Sequence, residues 1–317
     1  MKRKRDSHHL SKSKVIEQIP AACTDELKAV EFLEAQRWGS KPTCVHCGSE
    51  HVYKMMNAAG DARNARFLWR CHDCKKQYSV RLGTVYEESR IELRHWCYAF
   101  WRAATSKKGV AALEIMRQCQ ISYKSALFMM TRIRFAMSPD QYTEPKLKGI
   151  VEVDETYIGG KPRTTGISKR GRGTDKTPVF AAVERQGRIR RHVVTDVTIH
   201  TLRKAMLEMV ERRSRIMSDE FVAYIGVDKA FMTHDTVNHS QKEYARGDVH
   251  TNTAESSFAL LKRGIHGIYH NVSRQYLQRY VWHADFLWNN RKLNDGERIT
   301  TAIKSADGKR MRYLPEE

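Results

Sequence analysis

Four cysteines in two closely spaced pairs are the first residues whose types and spacing could do chemistry. The pairs are Cys44-Val-His-Cys47 and Cys71-His-Asp-Cys74, separated by residues 48–70. Each C-x2-C turn presents two thiolates, and two such turns complete the tetrahedral sulfur shell that Zn2+ prefers. The spacing therefore predicts a structural zinc site. His46 and His72 lie inside the turns and are alternative ligands, although exposed turn residues are the simpler interpretation of both.

Acidic residues stand at the ends of predicted elements in the second half of the chain. The run Ile150–Ile158 predicts a strand, and burying Glu152 and Asp154 on one of its faces is costly unless the charges are paired or hold a cation. Asp219 ends another short strand, and Glu255 lies on a predicted helix. Oxygen ligands from three separate elements suit Mg2+ or Mn2+, and two such ions would stabilise both sides of a displacement at phosphorus. Taken singly, each acid is more simply a helix cap or a solvated turn residue.

Two neighbouring acids compete with one of these candidates, and a lysine accompanies another. Asp228 and Asp235 lie shortly after Asp219 and are weaker candidates for the same role. Lys262 follows Glu255 by two helical turns, so both side chains project from one side of the predicted helix. A cation beside a cluster of acids suits a site that receives a phosphate group.

Residues 109–137 have the outline of a helix-turn-helix. Gly109–Arg117 and Ser122–Met137 predict two helices with a shared apolar seam, joined by a turn in which Gln120 stands where a glycine is common. The second helix would present its N-terminal end to a DNA major groove. Ordinary packing of two amphipathic helices is the alternative interpretation. The residues predicted to reach bases are Ser122, Tyr123 and Lys124, and those predicted to lie nearer phosphates are Arg132 and Arg134.

The elements that must position these residues divide the chain into a helical part and a part rich in strands. Residues 25–37, with Thr24 as N-cap, and most of 90–137 predict helices. From Gly149 onward the pattern changes to short apolar strands, two of which form a hairpin that turns at 185–187. The other elements predicted in this part are helices at 201–213, 253–263 and 274–290 and a strand at 215–218.

These changes of pattern predict an α/β protein with several regions. The predicted regions are a basic disordered arm (1–23), an N-terminal helix with the zinc ribbon (24–86), a helix-turn-helix region (87–145), a mixed-sheet catalytic domain (146–290) and a C-terminal tail (291–317).

Positive charge dominates the composition. There are 56 Lys and Arg against 36 Asp and Glu, a net charge of +20, whereas solubility alone needs a magnitude of only about 2–8 in a small domain. The excess favours a polyanion as partner, with nucleic acid first and an anionic membrane surface second. No stretch approaches the roughly 18 apolar residues of a membrane span, and no secretory signal follows the basic N-terminus. The basic loop Lys161–Lys176 is predicted to follow phosphates, with an ordinary surface loop as the alternative; its residues predicted to bind DNA are Lys161, Arg163, Lys169, Arg170 and Arg172.

Taken together, these motifs resemble a known family over most of the chain. The family is that of insertion-sequence transposases with an N-terminal zinc ribbon and a DDE-type catalytic domain, related to the Merlin transposons. The similarity rests on Cys44–Cys74, Gly83-Thr84, Lys108-Gly109, Val151–Gly160 and Val183-Glu-Arg185, and most specifically on Val237-Asn-His-Ser240 and on His250-Thr-Asn-Thr253 through Leu260–Gly264.

The resemblance implies an RNase H-like fold for the catalytic domain. It implies that Asp154 lies on the first strand, Asp219 after the fourth and Glu255 on a later helix, where they hold catalytic Mg2+ or Mn2+ in addition to the structural Zn2+. Asn252 is the alternative to Glu255, because members of the family vary at the third acidic position. Lys262 matches a basic residue of the family that contacts DNA.

The function implied is that of a DNA transposase. Such a protein binds the terminal inverted repeats of its own element and performs metal-dependent strand cleavage and strand transfer on double-stranded DNA, with Lys262 and Arg263 at the DNA. Holding two element ends together implies a homodimer or a larger assembly. The expected location is the cytoplasm, at the nucleoid, of a prokaryote or the nucleus of a eukaryote, with no membrane association. The alternatives are a zinc-ribbon and helix-turn-helix regulator with an inactive catalytic body, and an RNase H-type nuclease that cuts without joining.

Overall fold

The computed structural model describes residues 13–140, 144–159 and 176–311, which form two compact units. The first unit contains the chain up to Met137 together with the segment from Lys292 onward, and the second contains Ser138–Arg291. Most of the predicted basic arm and the loop cations from Lys161 to Arg172 lie outside the described residues. Within the described ranges, no helix is long and apolar enough to cross a membrane.

The elements of the second unit form one continuous block of the chain, and the helix that follows this block returns to the first unit. The α-helices are α1 (Lys14–Thr24), α2 (Glu26–Trp38), α3 (Leu93–Thr105), α4 (Ala112–Cys119), α5 (Tyr123–Ala136), α6 (Ile199–Met209), α7 (Asn252–Gly264), α8 (Leu277–Asn289) and α9 (Asp295–Lys304). The strands are β1 (Val52–Lys54), β2 (Trp69–Cys71), β3 (Gln77–Tyr78), β4 (Ile150–Ile158), β5 (Thr177–Glu184), β6 (Ile189–Val193), β7 (Arg215–Asp219) and β8 (Thr233–Val237). The second unit holds β4–β8 and α6–α8, and the first unit holds the rest.

The N-terminal helices differ from the sequence prediction. Helix α1 occupies Lys14–Thr24, most of which the sequence predicts as part of the disordered arm, and it packs on α2 and α3. The prediction of Thr24 as N-cap of the next helix is also wrong, because Thr24 ends α1 and its hydroxyl donates to Ala21 O at 3.1 Å. The N-cap of α2 is Asp25, whose carboxylate accepts the Lys28 N–H at 2.8 Å.

The C-terminal segment contains a helix of the first unit where the sequence predicts a tail. Helix α9 begins with a capping box, in which Asn294 accepts the Glu297 N–H at 3.0 Å and Glu297 accepts the Asn294 N–H at 2.9 Å. Ile299, Ala302 and Ile303 are buried, and the helix packs on α1, α2 and α3. An N-x-x-E pattern before an apolar stripe is a helix-start signal, so the sequence held the information needed to predict this helix.

The zinc-ribbon region is a small antiparallel sheet in the order β1-β2-β3. Val52 pairs with Cys71 and Trp69 with Tyr78, so the predicted hairpin is present and a third short strand extends it. The Trp38 ring of α2 meets the rings of Trp69 and Tyr78 edge-on, at 5.8 and 5.9 Å between centroids. These aromatic contacts attach the ribbon to the helices of the first unit.

The second unit is a five-stranded mixed sheet covered by helices on both faces. The strand order is β6-β5-β4-β7-β8; β5 is antiparallel to its neighbours β4 and β6, and β4, β7 and β8 are parallel. This is the mixed sheet expected of an RNase H-like domain, and the predicted fold class is confirmed. Strand β8 is not predicted from the sequence, because Thr233–Val237 is a polar edge strand without a continuous apolar face.

The two faces of β4 carry different side chains. Val151 and Val153 are fully buried in the apolar cluster that includes residues of α6. Ile158 is buried in the opposite cluster, which includes residues of α7 and α8. Because side chains alternate along a strand, Glu152 and Asp154 share the face of Ile158. The sheet therefore directs both acids toward the layer that contains α7.

Candidate functional site

The four cysteines of the two C-x2-C turns converge in the ribbon. Their Sγ atoms all lie within 4.8 Å of one another, with Cys44 and Cys74 at 3.6 Å and Cys47 and Cys71 at 3.7 Å. A tetrahedron with Zn–S bonds of about 2.3 Å has sulfur–sulfur edges of about 3.8 Å, so the spacing fits a zinc ion. The alternative ligands His46 and His72 do not belong to this cluster.

The helix-turn-helix residues have the predicted arrangement at the start of α5. Gln120 adopts the left-handed conformation, with φ of 53°, that reverses the chain after α4. Ser122 is the N-cap of α5, and its hydroxyl oxygen accepts the Ser125 N–H at 3.1 Å. Ser122 and Lys124 are exposed, and Tyr123 is 48% exposed. This end of α5 is therefore accessible to a partner.

Two arginines of α5 do not lie where the sequence predicts. Arg132 is 5% exposed and donates to the backbone oxygens of Val85 at 2.7 Å and Glu87 at 2.8 Å. Arg134 is 1% exposed and donates to Val110 O at 3.4 Å. The prediction that both lie near DNA phosphates is wrong, because their guanidinium groups instead bind carbonyl oxygens inside the first unit.

The strand register brings two of the predicted catalytic acids to the same level of the sheet. Strands β4 and β7 are parallel, and Glu152 pairs with Met217. Two residues further along each strand, this register makes Asp154 level with Asp219. Helix α7, which carries Glu255 in its first turn, packs on β4. The three acids therefore come together from β4, β7 and α7.

The carboxyl group of Asp154 lies in the field of other carboxylates. Burial raises its pKa well above the ordinary value, and the charges of Glu155, Asp219 and Glu255 add to the rise. A hydrogen bond from the Glu155 N–H to Asp154 Oδ1, at 2.8 Å, opposes the shift. Acids that repel one another at a half-buried position are stabilised by a cation, and hard oxygen donors suit Mg2+ or Mn2+. The donor set therefore fits the divalent ion that the sequence predicts.

The acids that compete with Asp219 have other surroundings. Asp235 lies on β8 and pairs with Arg215 at 2.7 Å, and Asp228 lies in a short 3-10 turn. Asp219 accepts the Phe221 N–H at 3.1 Å, and its charge acts on Asp154. Asp219 is thus the acid of this segment that belongs to the cluster.

A histidine that the sequence analysis does not single out lies next to Glu255. His239 Nδ1 is 3.8 Å from Glu255 Oε1. Glu220 anchors the turn that carries this histidine, since it accepts the N–H groups of His239 at 2.9 Å and Ser240 at 3.0 Å. The available signal is the run Val237–Ser240, one of the most specific parts of the family resemblance, to which the sequence alone gives no role.

Lys262 is half-buried on α7, two turns after Glu255. Burial lowers the pKa of its ammonium group and the charge of Lys176 adds to this, whereas the negative charge of Asp154 acts in the opposite direction. Lys262 therefore lies within the field of the acidic cluster, and the adjacent Arg263 is exposed. Cations at this position could bind the phosphate groups of a nucleic acid.

Glu152, on the same strand face as Asp154, is paired within the protein. Its side chain is fully buried, and its Oε1 accepts a hydrogen bond from Arg185 Nε at 3.0 Å. Arg185 also donates to Asp248 O at 2.7 Å. Of the two acids on this face, Glu152 is neutralised by an arginine and Asp154 is the one that belongs to the acidic cluster.

The carboxylates of the candidate active site interact through their charges but do not form a compact cluster. Among the residues that the structure describes, the four cysteines are the one set of three or more His, Cys, Asp or Glu side chains whose ligand atoms all lie within 4.8 Å. Asp154, Asp219 and Glu255 thus act on one another through their charges at longer range.

Two regions of the chain match known protein families. Residues 146–289 match the ISXO2-like transposase domain, and residues 24–77 match the transposase zinc-ribbon domain. The first region contains the mixed sheet and the acidic cluster, and the second contains α2 and the four cysteines. Both candidate sites therefore lie inside regions matched by transposase families.

A protein of Halobacterium salinarum is similar to this chain over most of its length. It is an uncharacterised protein in the transposable element ISH50, 31% identical over 273 residues, which cover 81% of this chain and 88% of the relative. The similarity is therefore longer than either family match and includes the greater part of both proteins.

Proposed function

This chain belongs to the ISXO2-like insertion-sequence transposases, and we propose that it cleaves and joins DNA strands at the ends of its own element. The first unit would bind the terminal inverted repeats, and the second would carry out the metal-dependent reaction. Double-stranded DNA is then both the substrate, as element ends, and the target. In a prokaryotic host the reaction would take place at the nucleoid.

The observation that carries this proposal is the convergence of Asp154, Asp219 and Glu255 beside Lys262. The acids come from three separate elements of an RNase H-like domain, and burial together with the charges of neighbouring carboxylates, Asp219 and Glu255 among them, raises the pKa of Asp154. Repulsion of a buried carboxylate by neighbouring carboxylates lowers the stability of the fold unless a cation offsets it. A DNA-binding regulator has no use for this arrangement, whereas a metal-dependent nuclease or transposase requires it.

In the proposed active site, Asp154, Asp219 and Glu255 hold one or two divalent metal ions, with Asn252 as the alternative to Glu255. When bound, Mg2+ or Mn2+ lowers the pKa of a water molecule and stabilises negative charge on the phosphate that is attacked. Lys262 binds a phosphate oxygen next to the scissile bond. These roles assign cleavage by water and joining by a 3′-OH group to the same site.

Other side chains of the site would orient these groups. His239, anchored by Glu220, lies 3.8 Å from the carboxylate of Glu255 and would help to orient it. Arg263 would bind DNA phosphates further from the reacting bond, because it is exposed beside Lys262. The hydrogen bonds of Glu220 lower its pKa to about 2, the one from Ser240 Oγ most of all, so this anchor is ionised throughout the neutral range.

We propose that α5 reads the inverted repeat. Ser122, Tyr123 and Lys124 at its exposed N-terminal end would contact base edges in the major groove. The predicted phosphate-following loop retains its proposed role, and its cations Lys161, Arg163, Lys169, Arg170 and Arg172 lie outside the described residues. Synapsis of two element ends requires at least a homodimer.

The test is cleavage of a duplex that carries the inverted repeat flanking this reading frame. We expect cleavage in Mg2+ by the wild-type chain, none by Asp154→Asn or Asp219→Asn, and unchanged binding of the duplex by both variants. Asp235→Asn is the matched control, because Asp235 lies on the neighbouring strand and is paired with Arg215. Full cleavage by Asp154→Asn would contradict the proposal.

The same assay separates the alternative functions. Specific binding without cleavage in Mg2+ or Mn2+ would identify a regulator. Cleavage without transfer of a labelled 3′-OH end into a second duplex would identify a nuclease. Both reactions, lost together in Asp154→Asn, are the expected result for a transposase.

A further inference from the structure

Helix α7 begins without a cap from its own sequence. Its N-cap residue Thr251 makes no side-chain hydrogen bond to the first turn, although the first N–H groups of a helix have no partner within the helix. The carboxylate of Glu152, on β4, caps the helix instead. Its Oε2 accepts the N–H groups of Thr253 at 2.7 Å and Ala254 at 3.1 Å, and its Oε1 accepts the Thr253 hydroxyl at 2.9 Å.

Glu152 is held from its other side by Arg185. Arg185 Nε donates to Glu152 Oε1 at 3.0 Å, and the same guanidinium group donates to Asp248 O at 2.7 Å and His250 O at 3.3 Å. The last two contacts fix the segment that leads into α7. His250 Nδ1 also lies 3.3 Å from Glu152 Oε1. One buried carboxylate therefore joins β4, the end of β5 and the start of α7.

We propose that Glu152 is a positioning residue that sets Glu255 against Asp154. Glu152 precedes Asp154 by two residues on the same face of β4, and the amides that it accepts belong to the residues directly before Glu255. The hydrogen bonds of Glu152 therefore connect β4 to α7 close to Asp154 on β4 and Glu255 on α7. This inference rests on the proposed function, in which Glu255 is a metal ligand.

The chemistry of the contact explains why a carboxylate is needed. A negative charge is favourable at a helix N-terminus, where the N–H dipoles point toward it. Both oxygens of Glu152 are already acceptors of hydrogen bonds within the protein, so this acid acts through Glu255 and does not itself serve as a metal ligand. Glutamine at this position would keep the shape but lose the charge that binds Arg185 and the helix N-terminus.

The first test measures amide hydrogen exchange of the metal-free protein. We expect Glu152→Gln to accelerate exchange of a peptide spanning residues 251–256 by about tenfold or more, because hydrogen bonds to a charged group are lost. Glu184→Gln is the matched control. Glu184, on β5, also accepts two backbone N–H groups, those of Lys148 at 2.9 Å and Arg188 at 3.0 Å. Unchanged exchange at 251–256 in Glu152→Gln would overturn the proposal.

The second test measures binding of Mn2+ by calorimetry. We expect Glu152→Gln to weaken Mn2+ binding by about tenfold, the lower end of the effect of residues that orient metal ligands, and Glu184→Gln to leave it unchanged. In a Glu255→Gln background, Glu152→Gln should have no further effect, because its action passes through Glu255. A variant that loses thermal stability but binds Mn2+ as the wild type does would show a merely structural role and overturn the proposal.

A milder substitution keeps the test decisive if Glu152→Gln does not fold. Thr253→Val removes the hydroxyl that donates to Glu152 Oε1 and retains both backbone N–H groups. We expect it to weaken Mn2+ binding measurably but less than Glu152→Gln, and unchanged binding in a folded Thr253→Val protein would overturn the proposal. A wild-type chain that binds no Mn2+ would overturn the proposed function together with this inference, whereas Mn2+ binding that is insensitive to these variants overturns this inference alone.

Discussion

Loss of the zinc ion is expected to unfold the ribbon and to leave the second unit folded, and Cys71→Ser is the substitution that tests this. The buried residues of the ribbon cluster are Cys44, Trp69, Cys71 and Tyr78, of which two are zinc ligands. Burial of the two aromatic side chains stabilises the ribbon by about 3–6 kcal/mol, at about 1.5–3 kcal/mol each. Structural zinc in small domains contributes about 10–16 kcal/mol. Because the metal supplies the larger of these two contributions, we expect the ribbon to unfold without it.

The assay combines metal content with regional hydrogen exchange. Purified wild-type protein should contain one equivalent of zinc, and Co2+ in its place should give the absorption spectrum of a tetrahedral four-thiolate site. In Cys71→Ser, peptides from the ribbon should lose their protection from amide hydrogen exchange, whereas peptides from β4, β5 and α8 should keep it. Cys23→Ser is the matched control, since Cys23 lies on α1 outside the metal-ligand cluster, and it should bind zinc as the wild type does.

One result would refute the reasoning directly. If Cys71→Ser retained a full equivalent of zinc and wild-type protection of the ribbon, a four-cysteine site could not be the main source of ribbon stability. Loss of zinc with full retention of ribbon protection would instead show that the aromatic contacts with Trp38 suffice, and that the contribution of the metal estimated above is too large.

Further predictions concern residues of both units. Arg132→Gln should lower the free energy of unfolding by about 2–5 kcal/mol, because buried carbonyl oxygens lose their donor, whereas Lys124→Gln should leave thermal denaturation unchanged and lower the preference for the inverted repeat over an unrelated duplex by about 1–3 kcal/mol, because a base contact is lost. Burial raises the pKa of Asp285 to about 7, although its ion pair with Arg191 at 2.9 Å opposes the rise, so the folded protein holds this proton more tightly than the unfolded chain. The free energy of unfolding, measured with urea, should therefore fall as the pH rises from about 4 to about 7, and Asp285→Asn should remove that fall. Asn294→Ala should cost about 1 kcal/mol in the same assay through loss of the capping box.

The features that were predictable from the sequence are those that depend on local spacing. Two C-x2-C turns specify a zinc shell whatever surrounds them, and the strand that contains Asp154 is recognisable from its own apolar residues. The proximity of Asp154 and Asp219 in the sheet, in contrast, is predicted from the family resemblance and not from local spacing. Spacing alone predicts that Glu152 and Asp154 need a paired charge or a bound cation. It does not predict which of the two acids is paired with an arginine of the protein.

The errors arise where tertiary packing overrides local composition. Arg132 was expected at DNA because arginine binds phosphates, yet it lies three residues after Met129 and four before Ala136, both fully buried. Residues three and four apart share one helix face, so periodicity placed this arginine on the buried side. Helix α1 is not predicted because the basic composition of the N-terminal segment indicates a disordered arm, although the helix packs on α2, α3 and α9; the start of α9, in contrast, has a local signal in Asn294 and Glu297.

The geometry of the acidic cluster is set by the backbone ladder of β4. Along Val151–Ile158 every residue pairs with β5, and from Ile150 to Glu152 the strand also pairs with β7. A shift of one residue would turn the acids of this strand to the other face, so the ladder keeps Asp154 on the face of α7, within the field of Asp219, although the two charges repel. Glu152 accepts hydrogen bonds from Arg185 and from the first turn of α7. Among the described residues, Asp154 accepts a hydrogen bond from the N–H of its neighbour Glu155. Because the ladder resists displacement, burial and the repulsion by neighbouring carboxylates together raise the pKa of Asp154, and a bound cation would reverse this rise.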